Sequence, residues 1–233
     1  MKRKIIIFGM LTLMVSLGAQ AYTNVDGFYG ETWLDHVDED GFENFGSGTE
    51  SAPWQIRSAG ALAYLARAVN NGETYEGKYF VIAANIDLGY KPSGSKLVWV
   101  PIGCTNSPTS SGASVFKGTL TNGTDADGNP FTISGMTIRA YGTGTTSCFG
   151  LFGALRGTVD GLVLKNSDIF VDQTTEEYYA GAVCGYVGVS TPATISTRMG
   201  TIRNCIAEQT TIEAESSNTG TAIGGLVGIA TLD

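Results

Sequence analysis

Apolar positions return at fixed spacing through the second half of the chain, and a glycine marks each return. Phe149-Gly150-Leu151-Phe152-Gly153 recurs as Gly181-Ala182-Val183-Cys184-Gly185 and again as Gly224-Gly225-Leu226-Val227-Gly228. A second unit travels with it. Gly157-Thr158-Val159-Asp160-Gly161-Leu162 returns as Gly200-Thr201-Ile202-Arg203-Asn204-Cys205, with an earlier echo in Phe131-Thr132-Ile133-Ser134-Gly135-Met136. Between the copies the pattern holds register: Val159, Leu162, Leu164 and Ile169 match Ile202, Cys205, Ala207 and Ile212. The spacing changes through one insertion, where Ala154 to Arg156 become Tyr186 to Met199. Variable loops on a constant frame mark a solenoid, whose single unit buries too little apolar surface to offset its ordering entropy and must stack on neighbours.

Upstream the period changes. Pro53-Trp54-Gln55-Ile56 reads as a short strand. Ser58 is placed to cap a helix over Ala59 to Val69, with Leu62, Leu65, Ala66 and Val69 on one face and Asn70-Asn71-Gly72 as its stop. This helix is expected to cap the first unit of the stack. Tyr79 to Ala83 reads as a strand, and Ile86-Asp87-Leu88-Gly89 leads into a turn. Val98 to Gly103 reads as a further strand, with Pro101 at an edge or end. Asn106 to Ser114 is a Ser/Thr/Gly/Pro loop. Residues 22–52 are acidic, Gly-rich and poorly periodic, and read as an extended leader or linker.

The first residues change the picture of where the protein works. Met1-Lys2-Arg3-Lys4 is a basic start, Ile5 to Leu17 is apolar, and Ala19-Gln20-Ala21 is a small-x-small cleavage site. Residues 1–21 are therefore expected to be an export signal, too short for a membrane span, and no later segment is long and apolar enough for one. Removing the three basic residues moves the net charge from −8 to −11. An acidic secreted chain is a poor partner for nucleic acid or anionic membranes. Of the four cysteines, Cys184 aligns with Phe152 and Val227, and Cys205 with Leu162, so these read as small buried hydrophobes rather than disulfide partners.

The repeats resemble the GLUG motifs of bacterial surface and adhesin-like proteins. The matching residues are Gly150-Leu151-Phe152-Gly153 and Gly225-Leu226-Val227-Gly228, with Ala182-Val183-Cys184-Gly185 as a degenerate copy. Trp54-Gln55-Ile56, the Leu62 to Asn70 helix, Tyr75 to Tyr79, Asn85 to Leu88, Trp99 to Gly103 and Thr132 to Met136 follow the order seen in such proteins, so the resemblance covers about Trp54 to Ala230. It implies an all-β chain folded as a right-handed parallel β-helix (a solenoid) with an N-terminal capping helix, on the surface of or secreted by a host-associated bacterium. Similar repeats sit beside the catalytic domain of bacterial IgA-specific metallopeptidases. Their zinc motif needs two histidines, and this chain has only His36. The resulting division is signal 1–21, leader 22–52, N-terminal cap 53–103, and β-helix with GLUG-type repeats 104–233. The last unit stops short at Asp233, where a further Gly-Thr-Ile unit is expected, as in a piece of a longer chain or one whose last unit pairs with a partner.

Candidate chemistry is sparse. His36, in Asp35-His36-Val37-Asp38, reads as a solvated residue rather than a general base. Asp125, Asp127 and Asn129 alternate like the opening of a calcium loop. Pro130 and Met136 break that pattern, and a polar turn is the competing reading. Asp160, Asp168, Asp172, Glu176 and Glu177 are the carboxylates a β-helical polysaccharide lyase or hydrolase could use, against a solvated acidic face. Trp54 and Trp99 read as core. Tyr178, Tyr179 and Tyr186, near the insertion, are the candidates for an exposed binding patch. The expected function is an exported, non-enzymatic surface or adhesion protein without a required cofactor, whose partner is a host or bacterial surface glycan or protein. The alternatives are a carbohydrate-active enzyme on the same fold and a structural spacer.

Overall fold

Short β-branched and aromatic runs between Gly and Asn corners give the chain its strands. A computed structural model describes residues 28, 30–89, 96–103, 114–142, 147–173, 177–188, 200–215 and 220–230. The expected export signal, Cys104, most of the 106–114 loop, the bulk of the insertion after Tyr186, and the last three residues lie outside the described residues. Among the described residues the chain is mostly β, with one α-helix and one short 3-10 helix.

In chain order, the 3-10 helix (Trp33–His36) comes first, then β1 (Trp54–Ile56), α1 (Ala59–Asn70), β2 (Tyr79–Ile82) and β3 (Ile86–Asp87). Three passages of five strands follow. The first holds β4 (Thr119–Asn122), β5 (Thr132–Ser134), β6 (Thr137–Gly142), β7 (Cys148–Phe149) and β8 (Phe152–Leu155). The second holds β9 (Thr158–Asp160), β10 (Val163–Lys165), β11 (Asp168–Gln173), β12 (Tyr179–Ala180) and β13 (Cys184–Val187). The third holds β14 (Thr201–Arg203), β15 (Ile206–Glu208), β16 (Thr211–Glu215), β17 (Ala222–Ile223) and β18 (Val227–Ala230). Each sheet takes one strand from each passage: β1-β2-β4-β9-β14, β3-β5-β10-β15, β6-β11-β16, β7-β12-β17 and β8-β13-β18. Every pairing between these strands is parallel.

The register reproduces the sequence alignment. Cys184 stands between Phe152 and Val227, Ile202 opposite Val159, Ala207 opposite Leu164, and Ile212 opposite Ile169. The earlier echo is corrected. Ile133 pairs with Leu164, and the partner of Val159 is Leu120, in Gly118-Thr119-Leu120. The shared Thr-Ile and Gly-Met spacing at 132–136 misled because two sheets use similar strand-corner sequences.

The corners between sheets are stacked too. Gly135, Asn166 and Gln209 follow residues held in register and all have positive φ, as do Gly161 and Asn204 at the preceding corner. That left-handed backbone favours Gly and Asn, which is why those residues punctuate the repeat. Backbone bonds run through the corners from passage to passage: Gly135 N donates to Lys165 O, Asn166 N to Glu208 O, and Gly161 N to Arg203 O.

The helix forms as its sequence predicts. Ser58 Oγ accepts from Ala61 N at 3.0 Å, and Leu62, Leu65, Ala66 and Val69 are fully buried. Its last residue ties it to the segment that follows β3. Asn70 Nδ2 donates to Pro101 O at 3.1 Å, and Asn70 Oδ1 accepts from Gly103 N at 2.9 Å. That segment, expected as a strand over Val98 to Gly103, makes only single bridges at Val98 and Ile102. Pro101 offers no backbone donor to extend them. Trp99 is nevertheless core, with its Nε1 donating to Leu151 O at 3.1 Å.

The stretch expected as an extended leader supplies part of the core. Phe28 and Phe42 are fully buried, and Trp33 donates from Nε1 to Leu88 O at 3.0 Å. Phe42 lies edge-on to Phe80 at 4.9 Å and against Trp54 at 5.5 Å. From Phe80 the aromatic stack continues through Phe116 (5.7 Å) to Phe152 (5.4 Å). Irregularly spaced aromatics show no period in sequence, so their burial could not be read from pattern.

Candidate functional site

The candidate residues sit on short strands and corners whose positions the layering fixes. Tyr178 immediately precedes β12, Tyr179 opens it, and Tyr186 lies in β13. The exposed patch expected of them does not form. Tyr178 is fully buried, edge-on to Phe149 at 6.0 Å, and its hydroxyl donates to Val171 O at 3.5 Å. Tyr186 is 3% exposed, in a strand buried at every position. Only Tyr179 keeps accessible surface, with its ring 5.6 Å from that of Tyr186 and its hydroxyl 3.5 Å from Glu177. Strands covered on both faces lose the alternation from which exposure is inferred.

Asp125, Asp127 and Asn129 do come together, in a turn closed by the Thr124 and Pro130 bridge. There the Asp125 carboxylate serves the turn. It accepts from the backbone N–H of Asn129 and Asp127, both at 2.9 Å, and from the Asn129 side-chain amide. Those bonds, led by the Asn129 N–H, hold its pKa below the usual carboxylate value. Asp127 contributes its backbone N–H to this polar turn. Among the described residues no group of three or more His, Cys, Asp or Glu side chains converges on a point that could hold a metal ion.

Three of the outward carboxylates pair across layers. Asp160 accepts from Arg203 at 2.9 Å and from Asn204 at 2.8 Å; Asp168 pairs with Arg139; Glu208 pairs with Lys165 at 3.2 Å. Asp172 stands one layer from Glu215, Glu177 is exposed, and Glu176 lies outside the described residues. His36 Nε2 lies 2.6 Å from Glu31, while the Asp35 carboxylate accepts from Thr32 N and Oγ1 at the start of the 3-10 helix. His36 is thus engaged in the fold rather than simply solvated. The Cys184 thiol is buried, and desolvation pushes its pKa up; Cys205 is half-buried and pushed the same way.

Buried phenols give the protein an alkaline limit. Burial raises the pKa of Tyr75, and burial with the Asp172 and Glu215 charges raises that of Tyr178. A folded-state pKa above the unfolded one stabilises below about pH 10, and that stability is lost as pH rises and the unfolded chain sheds the protons. Urea stability is expected to fall above about pH 10, with the two tyrosinates appearing only on unfolding. A combined Tyr75→Phe and Tyr178→Phe variant should show a shallower alkaline loss. Full ionisation of all tyrosines in the folded protein would contradict this.

Sequence reasoning missed one surface feature. A groove of about 250 Å³ crosses the starts of β4, β9 and β14, lined by Lys117, Arg156, Thr119, Thr158 and Thr201 with Gly118 and Gly157. The signal was present as a basic-Gly-Thr triplet, Lys117-Gly118-Thr119 and Arg156-Gly157-Thr158. It was obscured by placing the earlier repeat at 131–136 instead of 118–122. At the other extreme, among the described residues β14 to β18 each end their sheet, and Ile206, Ile223 and Leu226 are exposed.

Compared with protein-family models, with curated proteins and with solved structures, the chain matches none. Among the described residues no helix is long and apolar enough to cross a membrane.

Proposed function

We propose that this chain is an exported, non-enzymatic surface or adhesion protein, and that its parallel layers form a right-handed β-helix capped by α1. The observation that carries the reading is the in-register stacking of five strands per passage across all five sheets. Such a stack makes a rigid rod whose outer faces repeat from layer to layer, suited to presenting side chains along an extended partner. Right-handedness is supported by the strong preference of parallel crossovers for that hand. The paired outward carboxylates Asp160, Asp168 and Glu208 favour a binding surface over a hydrolase or lyase, whose carboxylates must be left available for substrate. The export signal and the GLUG resemblance support a place outside the cell.

The test is a panel of host and bacterial surface glycans and proteins, presented to the intact mature protein, with release of reducing ends followed in parallel. Saturable retention without release is the expected result. Release of sugar would establish the enzyme reading, and no retention on any member would leave a spacer.

A further inference from the structure

We propose that the groove across the starts of β4, β9 and β14 binds the carboxylate or sulfate groups of an acidic glycan. This deepens the surface-binding reading above and rests on it. Cations are scarce in this chain, 14 Lys and Arg against 22 Asp and Glu, yet two of them face one groove. Phe116 bridges Leu155, which places the following residues, Lys117 and Arg156, one layer apart. Their backbones are thus at strand spacing, about 4.8 Å along the stack, and both side chains line the same groove. Among the described residues that line the groove there is no carboxylate.

The donors there have capacity left. Arg156 donates from Nε to Gly188 O at 3.3 Å, and its two Nη groups bond to none of the described residues. Lys117 makes one long contact, 3.3 Å to Glu76, whose side chain is 73% exposed and is readily displaced by a competing anion. Thr119, Thr158 and Thr201 are in register on three successive layers. Their hydroxyls bond to none of the described residues and form a ladder along the same axis.

Guanidinium and ammonium groups beside a hydroxyl ladder recognise oxyanions on an extended polyhydroxylated chain. The cations take the carboxylate or sulfate, and the threonines take sugar hydroxyls. A neutral glycan would leave the Arg156 Nη groups unanswered. A single small anion would leave the ladder unused.

The test is calorimetric titration of the intact mature protein with polygalacturonate, with a sulfated polysaccharide, with neutral dextran and with inorganic sulfate. At least one acidic polymer should bind, more weakly as salt rises, and dextran should not. A combined Lys117→Gln and Arg156→Gln variant should lose at least about tenfold in affinity. Lys165→Gln, which removes a cation elsewhere, should lose less than about twofold. Thermal unfolding of each variant checks that the fold is kept. Unchanged affinity in the double variant, inorganic sulfate binding as tightly as the polymers, or no binding of either acidic polymer would each overturn the groove. If the double variant and the wild type bind the wider panel alike, the groove fails and the surface-binding reading stands. If the wild type binds nothing on that panel, the broader reading fails with it.

Discussion

Gly157→Ala is expected to destabilise the folded protein by about 3 kcal/mol. A Cβ at this position would sit 2.0 Å from Gly118 O and 2.7 Å from the Lys117 carbonyl carbon. These are main-chain atoms, so no side chain can swing aside. They are also fixed: Thr158 N donates to Gly118 O at 2.9 Å, and Thr119 N donates to Lys78 O at 2.8 Å. Relief requires the layers to part, which weakens the sheet bonds on either side of the corner. Gly225→Ala is the matched control. Nothing lies within 4 Å of the added atom, and Ala182 already holds the same place one layer earlier. That change should stay within about 0.5 kcal/mol. Urea unfolding of both variants checks the contrast, and equal midpoints would mean that the layers are not packed this closely.

Phe152→Ala should cost about 3–5 kcal/mol, among the largest losses available to a side-chain truncation. The ring is fully buried at the end of the Phe80, Phe116 and Phe152 stack, and the next layer presents only Cys184 at that register. A thiol is too small to fill the space the ring would leave. Backbone pairing on both sides of the position, through Ile102 and Cys184, keeps the cavity from collapsing. Phe152→Leu keeps most of the volume and should cost less than about 1.5 kcal/mol. Denaturant unfolding with an unchanged slope would read both as stability losses. Similar midpoints for the Ala and Leu variants would refute the packed aromatic stack.

The two cases differ in how far sequence anticipates them. Gly157 sits in a repeat that sequence alone aligned with Gly200, and the alignment located Cys184 between Phe152 and Val227 as the register does. Repetition makes this possible, because identical layers must place identical positions one above another. The first passage lacked that help. Its corner at 123–131 is filled by the Asp125 turn rather than by a short link, so its true counterpart, Gly118-Thr119-Leu120, is masked in sequence by the closer likeness of Thr132-Ile133.

The candidate site was less legible than the fold. The place of Tyr178 and Tyr186 near an insertion suggests exposure, yet both are buried. Lys117 and Arg156 come from separate passages, and only the backbone register makes them neighbours. The burial of Phe28, Trp33 and Phe42 was likewise hidden, since a segment with no period of its own takes its structure from the surface it packs on.

By itself the sequence determined the β character, the Ser58-capped helix, the Gly and Asn corners and the stacking register of the last two passages. All of these depend on local backbone preference or on repetition, and both are written along the chain. Only the tertiary structure decided which aromatics are core, which carboxylates are paired across layers, and which cations share a groove. Those outcomes depend on contacts between residues distant along the chain, and side-chain periodicity carries no record of them.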